Sequence, residues 1–244
     1  MAKSSGLGDN FYLGQYDLSG DVGAVQTVRG GRSGLIITGI DKSAMERTLG
    51  LKDGEIAFST YWNTEVAQAH PVLSALPTAD ILVSYFRGTT RFNAAASLVA
   101  KQTNYDPSRG QDGSLVTTVS ALSNAQPLEW GLMLTSGKET FAAAANGAST
   151  DYGSASTLFG AAAILHAFSI GSGTATVTVQ DSANDSAFAD IITFTNITAA
   201  TSQRATTATV TTTVRRYIRV AVAGTFTNLV CAVNFVRFET SQTV

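Results

Sequence analysis

Few residues in this sequence could do chemistry, and their spacing is poor for it. Of the two histidines, His70 precedes a proline at an expected helix start and His166 sits inside an apolar strand. Zinc takes three or four ligands, so neither reads as a metal site. No Cys-x-x-Cys, His-x-x-x-His or Asp-x-Asp-x-Asp-Gly pattern occurs. The single cysteine lies in Leu229-Val230-Cys231-Ala232-Val233, where apolar surroundings bury the sulfur and raise the thiol pKa, the reverse of what a nucleophile needs. The 22 glycines form neither Gly-x-x-x-x-Gly-Lys-Ser/Thr nor Gly-x-Gly-x-x-Gly, and Gly6-Leu7-Gly8 and Gly30-Gly31 read as loop punctuation. Asp181-Ser182-Ala183-Asn184-Asp185-Ser186 offers oxygens but lacks the glycine and glutamate of a calcium loop, so it reads as a hairpin loop. No pair of carboxylates stands out for glycoside hydrolysis. The expectation is a non-enzymatic chain with no cofactor and no metal.

The elements that would carry these residues are mostly strands. Residues 35–40 form a short β-branched run. Residues 55–62 alternate, with Ile56, Phe58 and Trp62 on one face, after an Asp53-Gly54 turn signal. Residues 81–86, 98–102 and 114–122 follow as strands, with a polar, turn-rich loop at 104–113. Two short helices are expected. One spans 41–50, with Ser43 and Glu46 as a capping box and Gly50 as its stop. The other spans 70–76, with Pro71 at its first position and Pro77 ending it. Beyond residue 137 lysines thin out to Lys138 alone, and 141–152 is rich in Ala, Asn, Gly and Ser, which suggests a linker. Six more strands are expected at 158–169, 174–180, 188–195, 207–213, 214–222 and 228–238. Thr174 to Val179 alternates strictly between threonine and Ala/Val. Trp62 and Trp130 are expected as core or interface anchors. The organisation reads as a domain over 1–137, a linker over 138–153 and an all-β domain over 154–244, the last an antiparallel sandwich of jelly-roll or immunoglobulin-like type.

Composition agrees. The 244 residues are 44% hydrophobic and only 14% charged, with a net charge of −2, so disorder through charge is excluded. Low charge leaves room for surface buried between subunits. A pI near 5.6 argues against a basic nucleic-acid surface. The one cationic cluster, Val214 to Val220 with Arg215, Arg216 and Arg219, reads as a solvated strand face paired with carboxylates. The N-terminal residues carry no apolar signal stretch, and the longest apolar run, 158–170, is shorter than a membrane span of ~20 residues. The expectation is a chain made in a cytoplasm without an export or membrane address.

Several stretches, taken in order, resemble the tail tube proteins of long-tailed phages, especially those of actinobacterial hosts. They are Gly8-Asp9-Asn10-Phe11-Tyr12-Leu13-Gly14-Gln15-Tyr16-Asp17-Leu18-Ser19-Gly20-Asp21, Thr38-Gly39-Ile40-Asp41-Lys42-Ser43-Ala44 with Gly50-Leu51-Lys52-Asp53-Gly54-Glu55-Ile56, Ala69-His70-Pro71-Val72-Leu73-Ser74-Ala75-Leu76-Pro77, Asn104-Tyr105-Asp106-Pro107-Ser108-Arg109-Gly110, and Thr213-Val214-Arg215-Arg216-Tyr217-Ile218-Arg219-Val220. The resemblance spans nearly the whole chain and rests on the order of the motifs. It implies a mainly β fold, a tail-tube-type barrel or sandwich with one or two short helices followed by the C-terminal sandwich. It also implies rings of six copies stacked into a tube for genome ejection, assembled in the host cytoplasm and resident in the virion. The partners implied are further copies of the chain, the tape measure, tail terminator and baseplate or distal tail proteins, and DNA that passes without specific binding. The assembly interface is expected at 28–34, 104–113 and the N-terminal arm 2–13, with Phe11, Tyr12, Arg29, Arg32, Tyr105, Asp106 and Arg109 as its contacts. A different reading is a surface, decoration or carbohydrate-binding virion module, whose C-terminal sandwich would bind a glycan on an aromatic platform near Tyr152 or Phe188.

Overall fold

A computed structural model describes residues 5–153 and 156–240. The chain is almost entirely β, in antiparallel sheets whose strand orders are open paths rather than a closed barrel. It divides into two compact units, each assembled from separate stretches of sequence. Unit 1 comprises Met1–Ser19, Ser84–Ser97 and Trp130–Val244, and unit 2 comprises Gly20–Val83 and Leu98–Glu129. These bounds do not follow the expected division at a linker.

Unit 1 is a sandwich of two sheets. One contains β13 (Ala161–Ser169) between β16 (Thr201–Thr206) and β18 (Leu229–Arg237), and continues through β9 (Glu129–Met133), β6 (Ala94–Gln102), β5 (Ile81–Phe86), β1 (Asn10–Leu13) and β2 (Tyr16–Asp17), with β10 (Glu139–Phe141) also on β18. The other contains β14 (Ser172–Ser182) between β15 (Ala189–Thr193) and β17 (Tyr217–Thr227), which also pairs β11 (Ala145–Asn146) and β12 (Thr150–Asp151). Leu165, Val233 and Phe235 from the first sheet meet Val177, Val179 and Val222 from the second in one buried core. The Thr/Val alternation of β14 is therefore a strand with its apolar face inward. Strand β13 reads as a continuous apolar run because both its faces are buried: Ala163 and Leu165 face the sandwich core, and Ile164 and His166 lie on the other side.

Two expectations fail here for physical reasons. The expected linker over 138–153 carries β10, β11 and β12, because small residues leave the backbone free to pair with β18 and β17. The expected strand over 207–213 is irregular, and the edge strand is the polar β16 instead. Thr209 Oγ1 lies 3.2 Å from Thr211 Oγ1 and 3.0 Å from Thr212 Oγ1, and the Thr209 N–H donates to Thr212 Oγ1. Such local side-chain bonds compete with a ladder.

The non-sandwich side of β13 holds a buried polar chain within unit 1. Asn234 Nδ2 donates to Ser97 Oγ (2.8 Å), Ser97 and Ser84 hydroxyls are 2.7 Å apart, Ser84 Oγ is 2.8 Å from His166 Nε2, and His166 Nδ1 is 2.6 Å from the Gly14 carbonyl. A carbonyl only accepts, so Nδ1 carries the imidazole proton and Nε2 accepts from Ser84. The Ser–His pair has no exposure at all, so this geometry serves packing.

Unit 2 is built on β3 (Val22–Ile36), β4 (Arg47–Tyr61) and β8 (Leu115–Ser123), with β7 (Asp106–Arg109) and the end of β6 following one another along the far edge of β8. Helix α1 (Ala69–Leu73) buries Ala69 and Leu73, and its Leu73 carbonyl accepts from Gln102 Nε2 at the end of β6 (2.8 Å). The buried Asp21 carboxylate accepts from the Ala69 N–H and from Asn63 Nδ2, both at 2.8 Å, and so holds the helix entry. The helix expected over 70–76 is thus present but ends earlier. Leu76 precedes Pro77, which disfavours helical backbone there, and has φ 43. The helix expected over 41–50 is absent. The Glu46 N–H donates to Thr38 Oγ1 (2.8 Å) and the Glu46 carbonyl accepts from the Ile37 N–H (3.0 Å), so cross-strand pairing claims the backbone that a capping box would have used.

Burial pushes the His166 pKa down to about 4 from an ordinary 6.5, against a smaller upward pull from the Gly14 carbonyl. The unfolded chain takes up a proton below about 6.5 that the native state refuses until about 4. Stability is therefore present in full above 6.5 and falls as pH drops through this window, by about 3 kcal/mol in all. Urea midpoints measured from pH 7 to 4 should fall more steeply for the natural chain than for His166→Gln; parallel curves would refute this assignment.

Candidate assembly interface

Strand β3 pairs β4 along its whole length, from Val22↔Thr60 to Ile36↔Arg47. Strand β4 pairs β8 only from Tyr61↔Val116 to Glu55↔Leu122. Past Glu55 the hairpin runs on as a two-stranded ribbon with no third strand among the described residues. From Gly30 to Ile36, at about 3.3 Å per residue, this arm reaches about 20 Å before its closing loop.

An isolated hairpin is marginal in water, and this one is fixed at its root. Gly30 and Gly54 face each other across the ribbon, and Leu128 lies against both. A Cβ on Gly30 would meet Leu128 Cβ at 2.9 Å, and one on Gly54 would meet the Leu128 backbone nitrogen at 2.8 Å. Ser123 Oγ accepts from the Gly54 N–H (3.0 Å) and donates to Asp53 Oδ1 (2.7 Å). The Ser123 hydroxyl and the Gly54 N–H hold the Asp53 carboxyl below its usual range. Glu55 accepts from Arg29 Nε (2.8 Å) and from Ser120 Oγ (2.7 Å).

Beyond the root the arm is apolar on both sides. Leu35, Ile36, Ile37, Met45, Leu49 and Leu51 are each half or more exposed, and Ile40 at the loop is fully so. Leu49 opposes Gly34 and Arg47 opposes Ile36 on one face, while Leu35 opposes Thr48 on the other, where Ile37 follows by alternation. Soluble monomers rarely leave so much contiguous apolar surface open, which makes the arm the candidate contact surface.

The expected interface residues are divided by the fold. Phe11 (2% exposed) and Tyr12 (0%) are core residues of unit 1, with the Tyr12 ring edge-on to Phe86 and Phe168. They are corrected from interface to core, since a sealed ring cannot meet a partner. Residues 2–4 of the expected arm lie outside the described residues. Arg29 and Arg32 stand on the ribbon, the latter with its guanidinium on the Gly50 carbonyl (3.1 Å). Tyr105, half-buried, precedes β7 and its hydroxyl lies 2.6 Å from His70 Nδ1. Asp106 and Arg109 are exposed on β7. Sequence reasoning missed the apolar residues of the arm. Their signal was present as the run 35–40, but a β-branched run reads as a buried strand unless its lack of a covering element is known.

Other candidates resolve into structure. Cys231 is sealed, and burial pushes its thiol up to about 12. The Asp181 carboxylate is taken by Arg215, whose Nε donates at 2.9 Å, and Asn184 Oδ1 accepts from the N–H groups of Ser186 and Ala187 in its own loop. Arg216 pairs with Asp151 at 2.6 Å, so the cationic strand meets carboxylates. The half-buried Tyr152 ring packs against Phe92, Phe235 and Arg237, and Arg219 lies 3.9 Å over the half-buried Phe188, so each ring has contacts within the chain. Trp62 and Trp130 are exposed, and so are not core.

No family model and no curated protein matches the chain. Among solved structures it is similar to the Dit protein of phage SPP1, described as a paradigm of the hub adsorption apparatus in phages infecting Gram-positive bacteria, at 12% identity and TM-score 0.34 over 94% of this chain and 99% of that one. It is also similar to chains of the phage p2 baseplate in its activated conformation, with Sr (9% identity, TM-score 0.33) and with Ca (10%, 0.33), each over 95% of this chain and 99% of the other. TM-scores this low establish no shared fold.

The root geometry separates two glycines on one ribbon. Gly54→Ala should cost about 1–3 kcal/mol, because the clash is with backbone. Gly34→Ala, whose nearest neighbour would be Arg47 Cδ at 3.8 Å, should change stability by less than about 0.5 kcal/mol. Thermal melts of the two variants decide, and equal effects would contradict the anchored root.

Proposed function

We propose that this chain is a structural, non-enzymatic virion protein of a phage tail, whose copies close into hexameric rings that stack into a tube for genome passage. The apolar arm carries the reading. Its two faces and the unpaired edge of β3 lack partners within the described residues, and a second copy can supply both apolar cover and a strand for the edge. An arm that docks on a different surface of the next copy makes a heterologous contact, which closes into a ring or continues as a filament. The order of motifs resembling tail tube proteins selects the ring and the tube. Low charge supports extensive burial between copies, and a net charge of −2 suits a conduit past which phosphates slide. Tape measure, terminator and baseplate proteins would meet the ends of such a tube.

Electron microscopy and light scattering of the concentrated protein test this. The natural chain should form rings or hollow tubes with a regular repeat. Ile37→Asp with Leu49→Asp, one change on each face of the arm, should stay monomeric with an unchanged melt. A natural chain that remains monomeric at every concentration, or a double variant that assembles equally well, would sink the proposal.

A further inference from the structure

A second surface in unit 2 has its own chemistry. Trp62 follows β4, and its backbone N–H donates to the Leu115 carbonyl (3.2 Å). Leu115 in turn opposes Arg109 on β7. Trp62, Leu115 and Arg109 therefore form one row across three strands, spanning about 10 Å at two strand spacings. One face of the Trp62 indole is stacked on His70, with ring centroids 4.0 Å apart and 27° between planes. His70 is fixed by the Tyr105 hydroxyl at 2.6 Å. The indole is thus held in one orientation while the residue stays 37% exposed. Alternation from Tyr105 brings Pro107 and Arg109 to this same face. The loop between Trp62 and the helix holds Ala67 at φ 65, a conformation unfavourable to a side chain and retained only where the surroundings enforce it.

Arg109 gives the face its charge. It is exposed and has no carboxylate partner among the described residues, unlike Arg29, Arg91, Arg215 and Arg216. The carboxylates nearest in sequence are engaged elsewhere. Asp106 accepts from Asn104 Nδ2 (2.5 Å) and alternates to the opposite face, and Asp112 accepts from the Ser114 N–H and hydroxyl (3.0 and 2.7 Å). A preoriented flat ring and an unpaired guanidinium thus stand exposed on one face, on backbones about two strand spacings apart.

We propose that this face binds an acidic saccharide, the apolar face of one sugar ring lying on Trp62 and a carboxylate farther along the oligosaccharide pairing with Arg109. A guanidinium takes a carboxylate in a bidentate fork. A neutral sugar leaves that fork unused, and an acidic peptide offers no flat ring face to the indole. The site lies within one copy and is distinct from the arm.

Trp130→Phe leaves Trp62 as the sole tryptophan of the two, so its fluorescence reports occupancy. Titration of this full-length variant with trigalacturonic acid should give a saturable change. Maltotriose should bind at least tenfold more weakly. Arg109→Ala should weaken trigalacturonate at least tenfold with an unchanged melt, and Arg109→Lys should recover part of the loss. Adding Ile37→Asp and Leu49→Asp should leave binding intact, which separates this site from assembly. Absence of saturation, equal affinity for maltotriose, indifference to Arg109→Ala, or binding of tetra-aspartate as tight as trigalacturonate would overturn the proposal, the last in favour of a protein segment.

Discussion

A strand carries hydrogen-bonding groups along both edges, and each edge needs a partner or water. In unit 2 this constraint decides the architecture. Strand β4 is satisfied on both sides between Glu55 and Tyr61, by β3 and β8. Past Glu55 the β8 ladder stops while the hairpin continues. The sequence places a glycine pair, Gly30 and Gly54, where the ribbon leaves the sheet, and Leu128 occupies the space that side chains would have filled. The core of the unit thus ends at its root, and every apolar residue beyond is left to whatever the arm meets.

Periodic information survived translation into structure well, and relational information did not. The alternations at 55–62 and 174–179 and the burial of Cys231 were legible, since each depends on residues within a few positions. That the cationic strand meets carboxylates was legible from charge alone, but its partners Asp181 and Asp151, 34 and 65 positions away, were not. The helix expected over 41–50 failed because its capping pattern is local, whereas the contest was decided by Thr38, Ile37 and Glu46 across the hairpin. Phe11 and Tyr12 looked like interface aromatics in a flexible arm, but β1 is drawn into a sheet between the adjacent β2 and the distant β5. The arm itself was hidden in plain view. The run 35–40 has the composition of a core strand, and nothing in it states that no layer will cover it.

The aromatic face illustrates a third case. Trp62, His70, Tyr105 and Arg109 were each visible as types, and Tyr105 and Arg109 were singled out for assembly. The antiparallel register of β4, β8 and β7 brings Trp62 and Arg109 to one side of one sheet, and the stacking of His70 on Trp62 with its bond to Tyr105 draws in the other two. The buried chain through Asn234, Ser97, Ser84 and His166 is similar in origin. Serine and histidine in apolar strands look like errors of pattern until each finds its donor or acceptor from another strand, after which they narrow the interior to a single arrangement.

The interleaving of the two units carries a temporal consequence. The last residue of unit 2 is Glu129, whereas unit 1 needs Trp130–Val244 together with Met1–Ser19 and Ser84–Ser97. The carbonyl of Gly14 waits for a histidine 152 positions later, and Ser97 for an asparagine 137 positions later. On a ribosome, the unit bearing the apolar arm is complete in sequence while its sister is still missing most of its strands. Contacts of such separation form slowly, so the apolar hairpin of a nascent chain is complete before the strands of the sandwich are. Premature encounters between neighbouring chains on one message are the characteristic hazard of that order of events.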